Sequence, residues 1–171
     1  MTATAVNYSN ALSEAWQNFY DLVNSSSNVS DPTVGSGEFR KWVYSRHPDV
    51  KDVKFAGYPY IVLYPATYDG DSMGVLDGNS RLVSWALEIE VVSCDRGRNN
   101  MDGRGQSHCD TISNAIVKTL NNLTNRNTLR TNGLFDIRVK ATDVVIESEA
   151  DTLVYRRSIM VTARCRMKVS A

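Results

Sequence analysis

The sequence predicts an α+β fold in which an antiparallel β-sheet carries two main helices packed on one face, with extended strands and loops left for subunit contacts. Two long segments alternate apolar and polar side chains as strands do, and two others place apolar residues at helical spacing. Their order is helix, strand, strand, helix, strand, strand. At 171 residues the chain fits one domain, 1–171, which is large enough to fold without disulfides.

The first half of the chain contains one helix, one strand and two loops. Residues 9–23 place apolar side chains on one helical face and predict an amphipathic helix. Residues 25–38 are rich in Ser and Gly and predict a flexible loop or arm. Residues 58–64 are aromatic and β-branched and predict a strand. Residues 67–80 hold three Gly and three Asp, so they predict a second flexible loop.

The second half alternates strands with one more helix. Residues 82–94 alternate strictly and predict a long strand, and 107–123 carry an apolar stripe typical of a helix. Residues 121–133 are polar and predict turns. Residues 135–141 and 143–147 alternate weakly and predict shorter strand pieces.

The last strand, 153–169, is the most informative segment. One face is apolar and the other is cationic, as expected of an antiparallel strand with one face on a core. Its 17 residues would span about 56 Å, well beyond a usual strand. We therefore expect part of this strand to extend past its own protomer, where neighbouring subunits would pair with it.

Composition limits the classes of partner. Lys plus Arg and Asp plus Glu number 19 each, so the whole chain has no general attraction to nucleic acid or to an anionic membrane. Cys94, Cys109 and Cys165 lack paired spacing and are expected to be reduced, structural thiols. No run of about 18 apolar residues and no signal-peptide pattern occurs, which predicts a soluble chain made in a reducing compartment.

Catalytic and metal-binding patterns are missing from the sequence. His47 lies in a turn before Pro48, and His108, Cys109 and Asp110 diverge by about 100° per residue on a helix, so they cannot converge on one metal. The nucleophile-elbow, zinc-protease and P-loop patterns do not occur. We expect a protein that is not an enzyme and that has no catalytic residues, no cofactor and no metal.

Three groups of residues are candidates for interaction. The first is a Gly/Arg-rich loop between the long strand and the second helix, with Arg96, Arg98 and Arg104. The second is the basic face of the last strand, with Arg156, Arg164, Arg166 and Lys168. The third is apolar, with Trp42, Tyr44 and Tyr60. The basic groups fit a solvated surface balanced by Glu88, Glu90, Glu147 and Glu149, or a contact with an acidic partner or with DNA passing nearby.

This layout resembles the tail terminator, or tail completion, proteins of long-tailed bacteriophages and related head-to-tail neck proteins. The resemblance covers nearly the whole chain. It is carried by the element order and by the segments RLVSWALEIEVVSCDRGR, 81–98, and YRRSIMVTARCRMKV, 155–169.

The resemblance implies a structural virion protein, assembled in the host cytoplasm, that forms a ring, usually a hexamer. Such a ring stops tail-tube polymerisation and offers a docking surface to neck or head-completion proteins. In this family the loop after the long strand commonly faces a neighbour or the lumen, which would place Arg96, Arg98 and Arg104 at a subunit contact or in the lumen through which the genome passes. Three alternatives stay open: another connector, neck or adaptor protein, a nucleic-acid-binding module, and an enzyme without a known motif.

Overall fold

A computed structural model describes most of the chain. The described residues are 7–8, 11–35, 40–49, 51, 57–68, 73–77, 80–95, 104–149 and 152–168. They form an α+β arrangement of three helices and a mixed sheet, as the sequence predicts for the fold class. In chain order the elements are β1 (Asn7–Tyr8), α1 (Ala11–Ser25), β2 (Val43–Tyr44), β3 (Tyr60–Leu63), β4 (Thr67–Tyr68), β5 (Met73–Asp77), β6 (Ser80–Cys94), α2 (Gly105–Asn121), α3 (Leu123–Thr131), β7 (Leu134–Ala141), β8 (Val145–Glu149) and β9 (Thr152–Lys168).

The two predicted helices are present and a third was missed. α1 buries Ala15, Phe19 and Val23, which recur every four residues and so share one face. α3 replaces the turns predicted over 121–133. Its only described buried side chain is Leu129, and the Asn122 side chain caps it by accepting hydrogen bonds from two backbone N–H groups of the first turn.

The long strand β9 is central, which corrects the expectation that it extends past its own protomer. On one side it pairs with β6 over fifteen residue pairs, from Ser80↔Lys168 to Cys94↔Val154. On the other side it pairs in turn with β8, β7 and β1. The three short strands together cover the second edge of β9. The backbone N–H and C=O groups of β9 therefore find their hydrogen-bond partners within the chain.

The sheet is mixed rather than purely antiparallel. β1 pairs with β9 and β2 pairs with β3 in parallel, while the remaining pairs are antiparallel. The loop predicted over 67–80 was wrong in part, because β4 and β5 lie within it and pair with β6. The described part of the 25–38 segment also packs on the protein, since Val29 and Thr33 are 6% and 4% exposed.

The core has two unequal parts. The larger lies between the helices and the face of the sheet formed by alternate residues of β6 and β9, among them Trp85, Leu87 and Val161. Phe19 of α1 meets the Trp85 ring edge-on at 5.2 Å. The smaller part lies on the opposite face and contains Tyr60, Val62, Val92, Cys94 and Val154. Every described core residue contributed by a helix belongs to the larger part.

Candidate functional site

One end of the sheet holds the two roots of the predicted Gly/Arg loop. The side chain of Asp95, directly after β6, accepts hydrogen bonds from the Gly105 N–H at 3.2 Å and from the Tyr155 hydroxyl at 3.0 Å. The Asp95 N–H donates to the Leu153 carbonyl at 3.1 Å. One aspartate therefore joins the end of β6, the start of β9 and the start of α2. It thereby links the residues on either side of segment 96–103 to the start of β9.

The start of α2 is packed directly on these two strands. A Cβ at Gly105 would lie 2.6 Å from the Tyr155 ring and 2.7 Å from the carbonyl carbon of Cys94, so only glycine fits this approach. The preceding residue, Arg104, is exposed and occupies the N-cap position. Arg96 and Arg98 lie outside the described residues. Of the predicted loop cations, the structure thus places Arg104 at this end of the sheet.

The position of Arg104 is unfavourable for the helix. A cation at a helix N-terminus opposes the helix dipole, typically by about 0.3–1 kcal/mol. The first turn of α2 contains no acidic residue, and the acid at this helix end is Asp95, which accepts a hydrogen bond from the Gly105 N–H. Burial lowers the pKa of His108, and the nearby Arg104 lowers it further, so that imidazole is neutral at pH 7.

An apolar patch lies at the same end of the sheet. Its residues, which we call the β8 edge patch, are Ile146 and Leu153 on one face of the sheet and Val145 on the other, with exposed fractions of 56%, 42% and 56%. Within the described structure β8 pairs with β9 alone, so the other edge of β8 is open. An open strand edge that carries exposed apolar side chains is typical of a surface covered by another chain.

The predicted basic strand face is partly neutralised by neighbouring acids. Arg156 lies 2.7 Å from Glu147 and 3.5 Å from Glu90. Arg164 lies 2.9 Å from Asp136. Among the four predicted cations, Arg166 is half-buried and the side chain of Lys168 lies outside the described residues. Arg156 and Arg164 therefore fit the balanced-surface interpretation, although Asp136 was not among the predicted acids.

The predicted apolar group does not form one surface. Tyr44 and Tyr60 meet edge-on at 6.1 Å on the helix-free face, whereas Trp42 packs against the larger core on the other side. Tyr60 is only 2% exposed, so a partner could bury almost none of it. Trp42, directly before β2, thus packs on the other side of the sheet from Tyr44 and Tyr60, and a role for the three residues in subunit contacts stays a prediction.

A polar network on the helix-free face was not predicted. Glu90 accepts a hydrogen bond from the Tyr64 hydroxyl at 2.7 Å, and His47 Nε2 lies 3.0 Å from the same oxygen. His47 Nδ1 lies 3.2 Å from the Tyr60 hydroxyl. Burial raises the pKa of Tyr60 and Tyr64 far above the usual range, so both remain protonated. Together with Arg156, these side chains serve as hydrogen-bond and ion-pair partners for one another. Such a network contributes to stability and does not indicate a catalytic site.

The described residues offer little for chemistry. They contain no group of three or more His, Cys, Asp or Glu side chains that could hold a metal ion. All three cysteines are free and buried, as predicted, and burial raises the pKa of both Cys109 and Cys165 to about 11. No described helix has the length and hydropathy needed to cross a membrane. Comparison with protein-family models and with curated proteins finds no match.

Proposed function

We propose that this chain is a structural virion protein that forms a ring, expected to be a hexamer, at the junction of tail and neck in a long-tailed phage. The ring ends polymerisation of the tail-tube protein and offers the docking surface to which neck and head-completion proteins bind. The protein has no catalytic role and needs no cofactor. The proposal starts from the resemblance in element order, and one structural observation carries it further.

That observation is that two features lie side by side. One is the open edge of β8 with its exposed apolar side chains, and the other is Asp95, which holds the start of the Arg loop. Asp95 and Tyr155 hold the root of the Arg loop beside Leu153, a member of the β8 edge patch. Backbone N–H and C=O groups along β8 can pair with a neighbouring copy, and its exposed apolar side chains would be buried there. The edge that recruits a neighbour is therefore β8, and not the long strand β9.

The Arg loop gives this end of the protomer its charge. Arg104 stands at an end of α2 where the helix dipole disfavours a cation. An acidic neighbour or the phosphates of a genome passing through the ring would reverse that penalty. A head-to-tail contact between copies that is repeated by rotation closes into a ring. The number of copies in that ring then has to fit the symmetry of the tail tube below it. The same surfaces would also suit the alternative function, in which this chain is another neck or adaptor protein. The identity of the partner that binds distinguishes the alternative from a tail terminator.

A capping assay tests the proposal. A tail-tube protein is polymerised in the presence of limiting amounts of wild type or of an Ile146→Lys/Leu153→Lys variant. We expect wild type to end growth and to give annular particles by electron microscopy. The variant should fold, because both side chains are exposed, but should neither form rings nor shorten tubes.

The matched control adds the same charge elsewhere. Asn24→Lys/Asn114→Lys changes two exposed helical positions away from β8 and should cap tubes like wild type. Circular dichroism and thermal unfolding establish that all three proteins are folded. Normal capping by the Ile146→Lys/Leu153→Lys protein would refute the role given to the β8 edge patch.

A further inference from the structure

A groove lies between α3 and the first half of β7, and we call it the α3–β7 groove. Its volume is about 490 Å³, within the range of about 300–1,000 Å³ that is typical of ligand pockets. Three of its lining residues are arginines, Arg126, Arg130 and Arg138, and one is an acid, Asp136. The lining is therefore basic, although the whole chain carries as many acidic as basic residues.

One face of α3 forms a wall of this groove. Leu123, Arg126, Asn127 and Arg130 follow one another at helical spacings of three and four residues, which places them on the same side of the helix. Leu129 lies off this face and is buried in the larger core, so it anchors α3 to the protein. Leu123 is 74% exposed, and the wall therefore offers apolar surface beside its two cations.

The charge of the groove arginines is not neutralised by neighbouring acids. Arg126 donates to the Leu120 carbonyl at 3.3 Å and to the Asn121 side chain at 2.6 Å, and both of these acceptors are uncharged. Arg130 on α3 and Arg138 on β7 are exposed, and within the described part of the chain neither forms an ion pair. Guanidinium groups on both sides of the groove are thus available to a ligand.

The acid of the groove is held by a cation of its own. Asp136 pairs with Arg164 of β9 at 2.9 Å. Between Phe135 and Arg138 the strand β7 advances three residues while β9 advances two, and Asp136 has a φ of 52°, in the left-handed region. This is a β-bulge, which interrupts regular pairing along the outer edge of a strand. The groove is therefore suited to bind the side chains of a ligand and not to accept a regular added strand.

Charge and apolar surface together select the class of ligand. Guanidinium groups bind carboxylates and phosphates through charge-assisted hydrogen bonds. Leu123 and the partly exposed Phe135 add apolar surface between the cations, and an apolar side chain of a peptide would cover it. A sugar–phosphate backbone has no such side chain and would leave Leu123 without an apolar partner. These properties favour an acidic peptide over a nucleic acid.

We propose that the α3–β7 groove binds an acidic segment of a partner protein. Asp or Glu side chains of that segment pair with Arg130 and Arg138, and one of its apolar side chains packs on Leu123. Arg126 adds positive charge from the same helical wall. The site goes beyond the ring contact and is separate from the β8 edge patch, since β7 begins opposite Cys165 whereas β8 pairs with the first residues of β9.

Peptide binding to the full chain tests the role of the arginines. The probe is a short fluorescein-labelled peptide of Glu and Leu residues, and fluorescence anisotropy measures its dissociation constant. Arg130→Gln/Arg138→Gln should raise that constant by about tenfold or more, because two charge-assisted contacts are lost. Added salt should weaken binding to wild type. Arg46→Gln/Lys51→Gln removes the same charge at exposed positions elsewhere and should bind like wild type.

A double-mutant cycle tests the apolar contact and does not depend on the arginine variants. Leu123→Ser should weaken binding of the Glu/Leu peptide several-fold and should not change binding of a peptide in which Ser replaces Leu. Because Leu123 is exposed, this variant should fold, and circular dichroism checks that it does.

Four outcomes would overturn the site. They are no binding of the Glu/Leu peptide to wild type, equal affinity for a peptide with Gln in place of Glu, an arginine variant that binds like its control, and tighter binding of a single-stranded DNA oligonucleotide at the same arginines. The last outcome would make the groove a nucleic-acid site. Tube capping is measured separately, so the proposed function stands or falls without this result.

Discussion

Gly105→Ala is the substitution that most directly tests how the loop root is built. The added methyl would lie 2.6 Å and 2.7 Å from two atoms of the Tyr155 ring and 2.7 Å from the carbonyl carbon of Cys94. The ring can rotate or shift, but the Cys94 backbone is held in the ladder between β6 and β9. Relief therefore requires the first turn of α2 to move away from the sheet.

The expected cost follows from these contacts. Overpacking by one carbon in a tightly packed site typically costs about 1–3 kcal/mol. Alanine is better than glycine inside a helix by up to about 1 kcal/mol, and less at the first position of α2. We expect a net loss of about 1–2 kcal/mol in the free energy of unfolding. For a chain of this size the melting temperature would fall by roughly 2–8 °C.

Urea unfolding followed by tryptophan fluorescence and circular dichroism measures this loss. The denaturant midpoint should fall while the slope of the transition stays unchanged. Gln106→Ala is the matched control, since the neighbouring side chain is exposed and its change should stay within about 0.5 kcal/mol. A Gly105→Ala protein as stable as wild type, or more stable, would refute the packing of α2 on Cys94 and Tyr155.

Two further predictions concern the loop cations and the buried thiols. Arg98→Glu/Arg104→Glu should leave the protein folded and raise the free energy of unfolding slightly, by up to about 1 kcal/mol, because an acid at the start of α2 favours the helix dipole, but should impair particle assembly; a normal particle yield would count against the role of the loop. Burial raises the pKa of Cys109 and Cys165 to about 11, whereas thiols of an unfolded chain ionise near about 8.5. Stability should therefore be insensitive to these thiols below about pH 8.5 and should fall as the pH rises from there towards 11. Cys109→Ala/Cys165→Ala should lose less stability over that range, and an equal decline in both proteins would contradict the assignment.

Much of the scaffold was predictable because its segments are strongly periodic. α1, α2, β6 and β9 each bury one face, so their side chains repeat with the period of the element. α3 was missed because Leu129 is its only described buried residue and the rest of its surface is polar. The cap formed by Asn122 was the available signal, but a polar segment with a capping residue also fits a series of turns.

Features that depend on partners in space could not be predicted from local pattern. The alternation of β9 indicates one buried face and great length, but not that β8, β7 and β1 share its second edge. Glu90 lies within an apolar strand and gives no local indication of His47 or Tyr64 as its partners. The loop cations were predicted from composition, and the structure adds that Asp95 fixes the loop root beside Leu153.

The central claim is that this protomer is built to assemble with copies of itself through surfaces that it leaves open. The most direct test is the mass of the purified protein, measured alone and after addition of tail tubes. We predict a ring of defined stoichiometry, expected to be six copies, alone or on the tube end. A single chain in both measurements, with no copies bound at tube ends, would contradict the claim.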